Sequence, residues 1–418
     1  MLACRAAEGN ARDDSQGFDS ATRIHFQLDR QSTCSCRPAS VRCMKTLAQL
    51  ISPVSSETFY ANHHDRSPLH IPASEGADKA KLFGWGEFNR LLDQTGHWTS
   101  ETLRMIHDTR NVDPTQYCRQ NASGTHLIPD PRKVQLQLAR GSSLVANDLE
   151  DMSLPVARLA AGLSSEFAAR IGANVYSSFK GVRAFGPHFD LHHVFAVQIE
   201  GEKLWRLYKN RMPDPVDMPV QGPDLPLWFQ RNCGPVMQEV RMKPGDVLYL
   251  PRGWFHDALA EDGASLHVTF SVAPLYGRIL FKLLESAAMQ DPAFRKYFPP
   301  VEQAGGKALQ QHLGHLGQKL AALCALPDFL DEVAMTQNRL RPRTGEYSLP
   351  AQMELTRYRV QPIAAPAFSG PVAHAMHYAY SRSEFVLEEV IALFDFVSET
   401  DIRTAVDRAA ASGSLIKL

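Results

Sequence analysis

The chain of 418 residues is long enough for two or three domains, and 44% apolar with 21% charged residues is the balance of an ordinary water-soluble globular protein. A formal net charge of −1 supplies no general pull towards nucleic acid or an anionic membrane. No run approaches the ~18 consecutive apolar residues of a membrane span.

The seven cysteines suggest no disulfide framework, since Cys4, Cys34, Cys36 and Cys43 crowd the start and the rest are scattered. The close pair Cys34 and Cys36 lacks the second pair that a zinc site needs. With no basic and apolar signal-peptide pattern at the N-terminus, the expected location is the cytoplasm.

Residues 1–43 hold Arg but no Lys, few aliphatics and no apolar periodicity, which leaves little to offset the entropy of ordering. They read as a disordered extension, or as sequence upstream of a true start at Met44. Short apolar runs broken by Pro and Gly follow to about residue 150, with a short helix suggested at Phe88–Leu92. His63-His64-Asp65 has no partner motif and reads as a solvated loop. Leu154–Ile171 shows apolar residues at helical spacing. Strand-like runs then come in close succession at Asn174–Phe179, Val194–Ile199, Lys203–Tyr208, Gln238–Met242, Asp246–Leu250 and Leu266–Val272. Turn residues such as Gly186-Pro187 and Lys243-Pro244-Gly245-Asp246 separate them, so an antiparallel sandwich or barrel is expected.

Beyond Pro274 the pattern turns helical. Leu309, Leu313, Leu316, Leu320 and Leu323 repeat as a helix–helix seam, which suits an intramolecular bundle or a dimer. A proline-punctuated break (Pro342, Pro350, Pro362, Pro366, Pro371) leads to a last unit. There Ser383–Phe394 and Ile402–Ala411 read as helices, Ser398 and Asp401 as a capping arrangement, and Ser414–Leu418 as a closing strand. Helix, helix, strand suggests a winged-helix-like module, and without a basic surplus it is expected to contact protein rather than nucleic acid.

The chemistry centres on Gly186-Pro187-His188-Phe189-Asp190. Residues i and i+2 of a strand share a face, so His188 and Asp190 can aim an imidazole and a carboxylate at one point. A third ligand is offered by His256, which follows a strand and a tight Pro251-Arg252-Gly253 turn. Together they match a 2-His-1-carboxylate triad, which leaves open positions on an octahedral iron(II). Lys203 sits in an apolar strand run, where a lysine is costly unless paired. A dicarboxylic oxoacid chelated to the metal at one end would need such a cation at the other; the alternative is a lysine that snorkels to a sheet edge. His192 shares parity with the pair and is expected to line the entrance rather than bind metal. His193 lies close by without an assigned role, and His267 is either a pocket residue or a plain strand histidine.

These residues resemble a known family. Gly245-x5-Pro251-x-Gly253-x2-His256 is similar to the second cupin motif, and the text from Asn174-Val175-Tyr176 through Gly201-Glu202-Lys203-Leu204-Trp205 resembles the ribosomal-oxygenase branch of the JmjC family. The likeness is dense from about 174 to 272, and Ser67-Pro68-Leu69-His70-Ile71 resembles the family's first segment. It implies a mainly β core with α, a double-stranded β-helix of cupin/JmjC type over 44–274, a helical dimerisation region over 275–345 and a winged-helix-like domain over 346–418. The implied activity is iron(II)- and 2-oxoglutarate-dependent hydroxylation of an arginine or histidine side chain, typically of a ribosomal protein, by a homodimer. By position, His188, Asp190 and His256 would bind iron. Lys203 would take the distal carboxylate of 2-oxoglutarate with help from Tyr176 and Thr269, and Asn174 would face its metal-proximal end. Lysine at 203 looks more like the histidine-hydroxylating members. Leu191-His192-His193 departs from the acidic or polar residue common there, which bears on the substrate and not on the metal. The rival readings are the same chemistry on another peptide or a small molecule, and a non-enzymatic metal-binding cupin.

Overall fold

The computed structural model describes residues 44–74, 78–179, 183–261, 263–342, 347 and 349–418. The expectations for residues 1–43, including an upstream start, lie outside the described residues. Two facing sheets form the core. The strands that build them are β1 (Leu69–Ile71), β2 (Leu103–His107), β3 (Arg110–Asn111), β4 (Ser143–Ala146), β5 (Ala169–Ser178), β6 (Arg183–His188), β7 (His193–Glu200), β8 (Lys203–Arg211), β9 (Val236–Met242), β10 (Val247–Leu250), β11 (Trp254–Leu259) and β12 (Ser265–Pro274). The major sheet runs β1-β10-β7-β12-β5-β4-β2-β3 and the minor sheet β9-β8-β11-β6. Neighbouring strands pair antiparallel in both. This is the antiparallel β core expected from the succession of short strands, and the resemblance implied one of cupin type. Of the strands that carry candidate ligands, β6 holds His188, where strand parity was expected, and β11 holds His256, which was expected only to follow a turn.

Alternation along each strand decides what faces where. On β12, Leu266, Val268, Phe270 and Val272 are buried in the main apolar core, while His267, Thr269 and Ser271 turn the other way and line a cavity between the sheets. On β5, Ala173 and Val175 join the same core, and Asn174 and Tyr176 face the cavity. Helix α1 (Leu154–Phe167) covers the core with Val156, Leu159, Ala160 and Leu163, all fully buried. Each large aliphatic buried in this way contributes about 1.5–3 kcal/mol. The helix stops short of the expected Ile171 because Ala168 adopts a left-handed conformation (φ 46°) and hands the chain to β5. Gly162 lets the N-terminal segment cross the helix, since a Cβ there would lie 1.8 Å from the Lys45 carbonyl oxygen. That segment enters the core through Leu47, Leu50 and Ile51.

The minor sheet alternates in the same way. Lys203, Trp205, His256 and Ala258 face the cavity. Phe189, Tyr208 and Phe255 face outward, where Phe229 of a short helix (Leu225–Asn232) packs on them. The buried Asp257 carboxylate on this outer side takes the Arg206 guanidinium at 2.9 and 2.7 Å and the Tyr208 hydroxyl at 2.9 Å. A buried charge is tolerated only when paired in this way.

After the sheets come α2 (Arg278–Ala288), α3 (Lys307–Cys324) and α4 (Pro327–Asn338). Of the heptad leucines on α3, Leu316 is buried, whereas Leu313 keeps 48% of its surface exposed. The last unit is a three-stranded sheet of β14-β13-β15, built from β13 (Arg357–Val360), β14 (Glu384–Val386) and β15 (Leu415–Lys417). Three helices pack with it: α5 (Val372–Tyr380), α6 (Leu387–Leu393) and α7 (Glu399–Ala411). The expected helix over Ser383–Phe394 is corrected: its first part is β14, which pairs with β13, and only Leu387–Leu393 is helical. Phe385 and Tyr358 stack at 5.6 Å across that pairing, so a sheet contact overrides local helical character. The Ser398 cap is present, its side chain accepting the Asp401 N–H. Among the described residues no helix is long and apolar enough to cross a membrane.

Candidate metal centre

His188 ends β6 and His256 lies on β11, directly opposite it in the pairing register. Asp190 follows two residues after His188. One ligand atom from each of the three lies within 4.8 Å of the others. The His256 Nε2 stands 3.5 Å from an Asp190 carboxylate oxygen, and the two imidazole rings are 4.4 Å apart. Each imidazole is held in one tautomer by the carbonyl two residues earlier. His188 Nδ1–H donates to Gly186 O at 2.9 Å, and His256 Nδ1–H donates to Trp254 O at 2.9 Å. Both Nε2 lone pairs are thereby left for the point shared with Asp190, the arrangement a metal-binding histidine requires. Burial, and then the neighbouring His188, bring His256 down to about 4, so it is an uncharged donor near pH 7. Burial works to raise the Asp190 carboxyl, but His188, His192 and His256 outweigh it and hold it below the usual range. Two imidazole nitrogens and a carboxylate on one side of an open cavity suit iron(II) or a similar divalent ion.

The cavity measures about 310 Å³ and lies between the sheets. Lys203 lines it and is 2% exposed. Its ammonium donates to Ser178 Oγ at 3.2 Å and approaches His267 Nδ1 at 3.5 Å. Desolvation pulls Lys203 down to about 7, and His267 falls well below its ordinary value through burial and then the Lys203 charge. The snorkelling alternative is therefore corrected: the side chain is buried and lines the cavity, and among the described residues no carboxylate pairs with it. Tyr176 lines the cavity beside Asn174 and Thr269, which oppose each other in the β5–β12 register. Tyr176 also stacks on His267 at 4.9 Å with the rings 7° from parallel. Burial, and then the Asp190 charge, raise the Tyr176 phenol, keeping it a neutral donor.

The structure thus brings all seven residues singled out in the sequence to one cavity. His192 lines it outside the three-residue cluster, and His193 is buried away from it. Sequence reasoning missed Trp205, stacked on His256 at 5.8 Å, although it shares strand parity with Lys203. It also missed Ser178, which accepts from the Lys203 ammonium, and Arg104, which reaches the cavity from β2 and carries no local signal. The solvated-loop reading of His63-His64-Asp65 is corrected: His64 stacks on Phe167 at 5.6 Å, and Asp65 pairs with Arg211.

Two antiparallel sheets around a cavity, with a His-x-Asp at one strand end and a cross-strand histidine, make a β-rich core with a candidate metal site. Residues 151–278 match the JmjC domain family. Ribosomal oxygenase 1 of Danio rerio is 31% identical over 268 residues, which cover 62% of this chain and 47% of that protein. The bifunctional lysine-specific demethylase and histidyl-hydroxylase NO66 of Drosophila persimilis is 28% identical over 299 residues, covering 66% of this chain and 41% of its own. This chain spans less than half the length of either relative. The X-ray structure of E. coli YcfD aligns with 87% of this chain and 98% of its own at a TM-score of 0.51 and 17% identity, a likeness of fold. YcfD, described as a ribosomal oxygenase, in complex with cobalt and succinic acid aligns over the same shares with a TM-score of 0.50 and 16% identity. The central part of the chain is thus similar to the JmjC domain family and to ribosomal oxygenases.

Proposed function

We propose that this protein is an iron(II)- and 2-oxoglutarate-dependent oxygenase that hydroxylates an arginine or histidine side chain of a protein, with ribosomal proteins as the substrate class. The observation that carries the reading is the pairing, across one cavity, of the His188–Asp190–His256 cluster with the buried cation of Lys203. A metal-binding module has no use for a cation placed there, whereas a chelating dicarboxylate needs one. His188, Asp190 and His256 would hold the metal from one side and leave the cavity side open. Lys203 would fix the distal carboxylate, with the Tyr176 and Thr269 hydroxyls oriented beside it and Asn174 nearer the metal. Iron held there would supply oxygen activation, and with oxygen and 2-oxoglutarate the products would be succinate, carbon dioxide and a hydroxylated side chain. The apolar and aromatic walls, Trp205 and Phe185 among them, would exclude water from that chemistry.

The test is succinate formation by the purified chain with iron(II), 2-oxoglutarate and oxygen, beside His188→Ala. Slow turnover that vanishes in the variant is expected. A wild-type protein that neither turns over nor binds 2-oxoglutarate when loaded with metal would overturn the reading.

The same proposal makes residues 275–345 a dimerisation region in a cytoplasmic homodimer. Phe281, Phe298 and Leu330, each with more than half of its surface exposed, are apolar groups that a partner could cover. A monomeric mass in solution at micromolar concentration would contradict it. Residues 346–418 would be a winged-helix-like unit that packs on protein, and retention of labelled duplex DNA would contradict that.

A further inference from the structure

The segment that delivers His256 to the metal centre is a tight turn, Pro251-Arg252-Gly253, between β10 and β11. Its backbone is fixed closely. Gly253 has φ +81°, and a Cβ there would lie 2.0 Å from the Met212 carbonyl oxygen. Gly253 N–H donates to the Asp190 carbonyl at 2.9 Å, which ties the turn directly to another candidate ligand, and Met212 N–H donates to Gly253 O at 2.9 Å.

The residue before Gly253 is held from both sides. Arg252 N–H donates to His193 Nδ1 at 3.3 Å, and Arg252 O accepts from Arg211 Nε at 2.9 Å. These contacts close into a ring. The Tyr249 hydroxyl donates to His193 Nδ1 at 3.2 Å and accepts Asp65 N–H at 3.0 Å. Arg211 completes the ring by donating to the Asp65 carbonyl at 2.8 Å and to its carboxylate. None of His193, Tyr249, Asp65 and Arg211 lines the cavity. Two donors converge on His193 Nδ1, so the ring requires a neutral imidazole with its proton on Nε2. Burial, and then the neighbouring His64, lower His193 to about 4, which keeps it in that form.

We propose that His193 is a positioning residue for the metal centre: backed by Tyr249 and the Asp65–Arg211 pair, it accepts the Arg252 N–H and so sets the turn that fixes Asp190 relative to His256. This rests on the reading that the cluster binds a divalent metal, and it assigns a role to the His63-His64-Asp65 segment, which joins the ring through Asp65. Groups that orient metal ligands from behind typically change metal affinity about 10–100-fold when lost.

The experiment uses the full chain loaded with cobalt(II) as a spectroscopic probe, measuring its dissociation constant and visible absorption. His193→Leu keeps the bulk and removes the acceptor, and is expected to weaken cobalt(II) about 10–100-fold and to shift the ligand-field bands. His193→Asn places an oxygen near the Nδ1 position, and should return affinity to within about threefold and restore the bands. If His193→Leu does not fold, Asp65→Asn, altered at a partly exposed side chain, is expected to weaken cobalt(II) by about three- to tenfold. Unchanged affinity and bands in the folded variant would overturn the proposal, and so would Asn behaving no better than Leu. His188→Ala separates the two readings: if it still binds cobalt(II) with the wild-type spectrum, the metal-site reading fails, whatever His193 does.

Discussion

His256→Ala is expected to bring 2-oxoglutarate turnover below about 1% of wild type, because two ligands cannot hold an octahedral ion with one face open. Of the three candidate ligands His256 is the most enclosed, at 5% side-chain exposure against 30% for Asp190. It also links the site together: it lies opposite His188 in the sheet, approaches the Asp190 carboxylate at 3.5 Å and carries Trp205 stacked on its ring. Asp190 keeps His188 and His192 beside its carboxylate, so the variant should stay folded with a modest loss from the void left beside Trp205. Iron content, succinate yield and far-UV circular dichroism, measured together, check this. A folded variant that retains iron and more than a tenth of the turnover would remove His256 from the metal centre.

How much of this could be read from sequence depended on whether a residue's role is local. His188, Asp190 and His256 were legible because strand parity and a Pro-Gly turn are local features, and Lys203 because a charge in an apolar run demands a partner. Tyr176, Thr269 and Asn174 came only through family resemblance. The register that sets Asn174 opposite Thr269 and His267 opposite Tyr176 is a long-range pairing that no short window contains. The alternation of His267, Thr269 and Ser271 with Leu266, Val268 and Phe270 was present in the letters, but it does not say which face is the site. In this fold the polar face turns inward and the apolar face lies beneath a helix. β14 was misread for a related reason, since Glu384–Val386 takes its conformation from β13, a strand 24 or more residues earlier in the chain. His63-His64-Asp65 looked solvated because its partners, Phe167, Tyr249 and Arg211, lie far away in sequence.

Lys203→Met is expected to raise the dissociation constant of 2-oxoglutarate about 100-fold, since it keeps most of the side-chain length and removes a desolvated charge–carboxylate contact worth about 3 kcal/mol. The wild-type pH dependence gives a sharper test. With no carboxylate beside it, burial lowers Lys203 to about 7, whereas a bound carboxylate would favour the ammonium and raise it again. Below pH 7 the ammonium is already formed, so affinity should be level there. Above pH 7 each binding event must take up a proton, and affinity should fall about tenfold per pH unit until the pKa of the bound form is reached. Calorimetry in buffers of different ionisation enthalpy should therefore find close to one proton taken up at pH 8 and little at pH 6. Lys203→Met should show neither the uptake nor the slope. His267, the titratable neighbour nearest to Lys203, lies well below its ordinary value and stays neutral across this window, so it cannot produce the same profile. A wild-type affinity that is flat from pH 6 to 9 would mean that the distal carboxylate is held elsewhere, and Arg104, the other basic side chain in the cavity lining, would then be the residue to change.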